Sequence, residues 1–138
     1  MAYAAPVVIQ VLVDADNVAA PRLAALVNAL PSGECEVVVA GSPRALAGVA
    51  WPHGALVHEV VGWQEADLFL ARAYRPGSQP LVLASGDGDF GHLATGHTGP
   101  VLVVSERPAS RLRDVATVVD PVLEGTDALR HWFDAVLS

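Results

Sequence analysis

Four aspartates carry the chemistry this chain could perform. Asp14 closes an almost continuously apolar run at residues 7–13, and Asp16 follows two residues on. Asp87 and Asp89 stand just beyond a second such run, residues 81–84, in the string Ser85-Gly86-Asp87-Gly88-Asp89-Phe90. Asp67 comes a short turn after a third run, residues 56–61, and is expected in the first turn of the next helix. In an open α/β sheet, ligands bind outside the carboxyl ends of the strands. If the first and fourth strands are neighbours, all four acids converge on one crevice. Clustered carboxylates repel, and desolvation raises their pKa values. A divalent cation with hard oxygen ligands, Mg²⁺ or Mn²⁺, relieves both costs. Such an ion can generate a hydroxide nucleophile and stabilise a leaving oxygen in phosphodiester hydrolysis. Asp and Gly also favour turns after strands, and Asp favours helix starts for its own reasons. It is the recurrence at three strand ends that points to a metal site.

The elements that must position these acids are legible from hydrophobic pattern. Short β-branched runs alternate with helical periodicity, which predicts an α/β fold: a single Rossmann-like three-layer domain, residues 1–138, around a mainly parallel sheet. Runs at 7–13 and 81–84 lack the alternation of a one-faced strand, so both belong at the centre, covered on each side. Strands are also expected at 37–40, 56–61, 101–104 and, briefly, 118–119. Pro21 at a first helical position, with Leu23, Leu26, Val27 and Leu30 at helical spacing, predicts a helix. Others are expected at 44–50, around Ala66 to Ala73, from a Ser110 cap through Ala116, and over Leu129 to Val136. The Gly- and His-rich stretch 91–99 has poor helix propensity.

Composition narrows the function. The 138 residues are 52% apolar, enough for a sizeable core, and no apolar run reaches the roughly 18–20 residues that span a bilayer. The amino-terminal stretch has no basic region and runs into two aspartates, unlike a signal peptide. A single Cys35 offers neither a disulfide framework nor a cysteine zinc site, in keeping with a cytoplasmic protein. Fifteen acids against eight bases give a net charge of −7, and every base is Arg. A module that coats nucleic acid through a broad basic face is excluded; a polyanion would have to be held by metal ions and a few arginines.

The strings VLVDADNV and LVLASGDGDF, with GWQEADLFLA between them, resemble the NYN (LabA-like) branch of the PIN-domain ribonucleases. The segment PASRLRDVATVVD is similar to that family's closing Ser-x-x-Leu stretch, so the likeness runs from Val7 to Asp120. The resemblance implies metal-dependent RNA cleavage leaving 5′-phosphate ends. It assigns Asp14, Asp67, Asp87 and Asp89 to the metal-binding and catalytic positions, Asn17 to the motif asparagine and Ser85 to the motif serine. Two departures remove positive charge: Gln64-Glu65 stands where the family often has Lys, and the helix after Phe90 is short and not basic.

Among the bases, Arg44, Arg107 and Arg111 fall just past the second and fifth strands and could clamp phosphates bidentately. Arg22, Arg72, Arg75 and Arg130 lie on helices or at their ends, as solvent or dipole partners. His92 and His97 are the nearest to a histidine metal spacing, His92 could line the crevice, and Trp63 stands next to the crevice turn. Two rival functions stay open. Asp14-x-Asp16 after a strand also looks like the nucleophile motif of haloacid-dehalogenase-type phosphatases, though that chemistry normally uses a Lys and a longer chain. A non-catalytic PIN-like binding module is the other. The expected partner is weakly bound, single-stranded RNA, without a membrane; a homo-oligomer or protein partner is left open.

Overall fold

The computed structural model describes residues 8–85 and 90–138. In chain order the elements are β1 (Ile9–Asp14), α1 (Ala20–Ala29), β2 (Cys35–Gly41), α2 (Pro43–Ala47), β3 (Leu56–Glu59), α3 (Trp63–Ala73) and β4 (Leu81–Ala84). They continue with α4 (Gly91–Gly96), β5 (Val101–Val104), α5 (Ser110–Val115), β6 (Thr117–Val119), α6 (Pro121–Glu124) and α7 (Thr126–Leu137). The strands form one sheet in the order β3-β2-β1-β4-β5-β6, and every pairing is parallel. The chain winds outward from β1 to β3, then returns to the far side of β1 as β4. The sheet therefore reverses direction between β1 and β4, where an open α/β sheet leaves a crevice.

Two cores explain why this sequence takes three layers. Alternate residues of the same strands enter opposite faces. Ile9, Val11, Val13, Val39, Val82 and Leu102 pack with Leu23, Leu26, Leu129 and Phe133, under α1 and α7. Leu12, Leu81, Leu83, Val101 and Val103 pack with Ala66, Leu70, Leu93 and Leu112, under α3, α4 and α5. Every residue of β1, β4 and β5 is buried, as the unbroken apolar character of β4 and β5 and the mostly apolar β1 require. Both β1 and β4 are interior strands, paired parallel to each other. β3 is an edge strand with all four residues exposed, tied to α3 by His58 stacked on Phe69 at 3.9 Å.

Several local expectations are corrected. β1 starts at Ile9 and includes Asp14; Val7 lies outside the described residues. α3 begins at Trp63, so Asp67 sits in its second turn, with Glu65 taking the first-turn position and accepting a bond from the Val61 amide. The helix after Phe90 covers only Gly91–Gly96 of the weak-propensity stretch, held by the burial of Gly91, Leu93 and Ala94. Ser110 lies inside α5 rather than capping it; Ala109 is the cap residue and makes no side-chain bond. α6 was not legible as a helix. Asp120 caps it by accepting from the Val122 amide at 3.0 Å, and its own amide donates to Glu124 at 2.7 Å.

No helix among the described residues is long and apolar enough to cross a membrane.

Candidate functional site

Polar residues in this interior gather at one edge of the sheet. Asp14 ends β1, Ser85 follows β4, Ser105 follows β5 and Asp120 follows β6, and all four are buried. Four neighbouring strands thus deliver a buried polar side chain to the carboxyl edge. The opposite edge also buries polar groups, but they are consumed in structure. The Gln10 side chain donates to the Arg75 carbonyl and accepts from the Arg75 amide. His97 takes a 2.8 Å bond with the Tyr74 hydroxyl at Nδ1 and lies 2.6 Å from the Gln79 carbonyl at Nε2. The carbonyl can only accept, so Nε2 carries the proton and Nδ1 accepts from Tyr74. The pair His92 and His97 therefore makes no metal site: His97 is a core residue of that far edge. A cavity of about 620 Å³ also lies there, lined by Gln10, Arg75 and Gln79; the Gln10 and Gln79 side chains bond the Arg75 backbone, and the Arg75 guanidinium pairs with Glu36.

Asp14 is the centre of the carboxyl edge. It is only 2% exposed. Its carboxylate accepts a 2.5 Å bond from Asn17 Nδ2, while the Asn17 amide donates to the Asp14 carbonyl at 3.1 Å. Burial pushes the Asp14 carboxyl up to about 6. The Asn17 bond opposes that shift, and the charges of Asp67 and Asp16 add to it. The half-buried Asp67, delivered by α3 where it packs on β1, is thus close enough for its charge to be felt at Asp14. The crevice brings Asp14, Asp67 and Asn17 together, with Ser85 buried at the end of the neighbouring strand.

Asp87 and Asp89 lie outside the described residues, as does the side chain of Arg111. Among the described residues no group of three or more metal-ligating side chains is close enough to hold an ion. Two oxygen-only carboxylates, one of them driven toward protonation by burial, nevertheless form a donor set suited to a hard divalent cation. Such an ion would restore the ionised state that the fold disfavours.

Asp16 has a different task. Its two oxygens accept from the Ser42 amide at 2.8 Å and the Ser42 hydroxyl at 2.7 Å, and the same hydroxyl accepts from the Ala45 amide to cap α2. The carboxylate therefore ties the β1–α1 turn to the β2–α2 turn, and is engaged where a phosphatase acid/base would have to be available. Arg44, exposed in the first turn of α2, lines a cleft of about 540 Å³ with Asp16, Asn17, Ser42 and Glu106. Arg107 lines a second cleft of about 250 Å³, on the other side of Asn17, with Arg22 and Ser105.

Arg22 is the residue that sequence reasoning assigned wrongly. It is no solvent cation: its side chain is 12% exposed, and Nε and Nη2 donate to the two oxygens of Asp120 at 3.0 and 3.1 Å. The pairing raises the Arg22 pKa and lowers that of Asp120. The signal available was the Asp120-Pro121 pair, which reads as a cap followed by a first-turn proline and so places an acid at the end of the last strand. Arg75 and Arg130 fit the surface assignment, pairing with Glu36 and Asp127. No protein-family model matches this chain, and neither does any curated protein or solved structure with which it was compared.

Proposed function

We propose that this chain is a metal-dependent ribonuclease that hydrolyses RNA phosphodiester bonds, with Mg²⁺ or Mn²⁺ held by Asp14, Asp67, Asp87 and Asp89. The observation that carries the reading is Asp14: a carboxyl 2% exposed, at the sheet's reversal point, raised to about 6 and facing the charge of Asp67. A fold does not by itself assign a function, but a buried carboxylate facing a half-buried one at that point needs a counter-charge to stay ionised. When bound, the ion supplies an activated water and charge stabilisation for the leaving oxygen. Asn17 fixes the orientation of the Asp14 carboxylate, which would be one of the groups holding the ion. Asp67 completes the neighbouring donor position from α3. Arg44 and Arg107, on the two clefts that flank Asn17, hold the strand. The resemblance to NYN domains adds RNA as the substrate and 5′-phosphate products, and the lone cysteine favours the cytoplasm.

The acidic balance and the lack of Lys favour a second reading, a PIN-like binding module without catalysis. Labelled single-stranded RNA, incubated with Mn²⁺ or Mg²⁺ against an Asp14→Asn control, separates them. Cleavage by the wild type alone is the expected result. Intact RNA under either metal, from a folded protein, selects the binding module.

A further inference from the structure

The smaller of the two clefts, between the β1–α1 and β5–α5 turns, has the features of an anion site. At about 250 Å³ it admits a tetrahedral oxyanion, and Asn17, which bonds Asp14 on its other side, forms one wall. Arg22 is held rigidly there. Asp120 takes only one edge of the guanidinium, and the fork carries five N–H donors in all. Ser105 is buried, and its oxygen accepts from the Arg107 amide at 3.2 Å, so its hydroxyl proton is available to a ligand. Arg107 is exposed at the rim. The remaining member is an acid. Glu106 approaches Arg22 Nη2 only to 3.9 Å, too far for a hydrogen bond, and its side chain is 57% exposed. Asp120 is fixed by its bonds; Glu106 can rotate into water at little cost.

We infer that this cleft is a phosphate subsite, taking the non-bridging oxygens of a nucleic-acid phosphate one step from the scissile bond, and that Glu106 sets its affinity by competing for Arg22. The inference rests on the ribonuclease reading for the identity of the strand, but not on the metal. Two arginines and a serine hydroxyl match a phosphodiester's charge and geometry once the Glu106 carboxylate turns away. A terminal 5′-phosphate offers the same chemistry.

The test is made in chelator at low salt, so that cleavage plays no part. Anisotropy of a short 3′-labelled oligouridylate, with or without a 5′-phosphate, is measured for wild type, Glu106→Gln and Arg107→Ala. Glu106→Gln is expected to tighten binding about 3–10-fold by removing one opposing charge. Arg107→Ala is expected to weaken it about 5–10-fold. Titration of inorganic phosphate should shift the backbone amides of Asn17, Ser105 and Arg107. An effect of Glu106→Gln on both oligomers assigns an internal phosphodiester; an effect only on the phosphorylated one assigns a strand end. Unchanged affinity in both variants, with no amide shifts, overturns the subsite. If the RNA is then still cleaved with metal, the ribonuclease reading survives without it. Conversely, both binding effects in a protein that never cleaves RNA retain the subsite and remove the ribonuclease.

Discussion

At Asp14 the fold holds a carboxyl where ionisation is costly, and the sign of the cost is testable. Its folded pKa of about 6 lies above the ordinary value of 3.8, so between those values the folded state binds the proton more tightly than the unfolded chain. Stability is therefore lost as pH rises from about 4 to 6, and the deficit is complete above 6. A shift of this size corresponds to about 2–3 kcal/mol. Asp14→Asn should raise the melting temperature of the metal-free protein at pH 7.5 by roughly 5 °C or more, with the gain vanishing near pH 4. Thermal melts in chelator at the two pH values measure it; equal melting temperatures at pH 7.5 would refute the burial argument. Millimolar Mn²⁺ should reverse the order, stabilising wild type above Asp14→Asn by mass action. Asp14 was legible because a strand end is set by local pattern, and Asp67 was legible to within one helical turn. The tasks of Asp16 and Arg22 were not, because their partners Ser42 and Asp120 lie 26 and 98 residues away. No local period encodes such a distance.

Between residue and fold, the β2 terminus does most to hold the site's loops. A Cβ on Gly41 would sit 2.8 Å from the Ala15 Cβ, next to the turn that carries Asp16 and Asn17. Neither atom belongs to a flexible side chain, so Gly41→Ala should displace that turn and cost about 1–3 kcal/mol, read by denaturant unfolding. Ser42→Ala removes a helix cap and both side-chain links through the hydroxyl, with an expected loss of about 1–2 kcal/mol. At the far end, Asp120 joins β6, α6 and α1, and its carboxyl is held below the usual range chiefly by the Arg22 bonds. That stabilisation is present above the ordinary carboxylate pKa and fades as pH falls through the lowered one. Asp120→Asn should accordingly lower the melting temperature at pH 7 and lose its effect in strong acid; a melting curve unchanged at neutral pH would show that the pair carries no stability. The strands β4 and β5 were legible to the residue, since unbroken apolar runs bounded by Pro, Gly or Ser allow no other reading. The helix α6 was not, and α4 showed only as a stretch of weak propensity. α4 and α6 exist through packing and capping, which a weak local propensity does not announce.

Over the whole molecule, charge and architecture pull in opposite directions. The sheet reversal builds a crevice with arginines on both flanking clefts, while the net charge of −7 repels any polyanion that approaches. Screening limits that repulsion to about 10 Å at 0.1 M salt, so it slows encounter more than it weakens the docked state. On the ribonuclease proposal, a docked strand meets the arginines that line the two clefts. Counterion release follows the number of phosphates neutralised, with a slope near −0.7 per phosphate for single strands. Two or three contacts give a log–log slope of about −1.5 to −2, far shallower than that of a basic nucleic-acid-binding face. Arg44→Ala should weaken binding of single-stranded RNA across sequences and flatten the slope by about 0.7, leaving metal stabilisation intact. Affinity measured from low to high salt, for wild type and this variant, decides the matter. A slope steeper than about −4 would require a basic surface that eight scattered arginines cannot supply, and a slope unmoved by Arg44→Ala would place the strand away from the larger cleft.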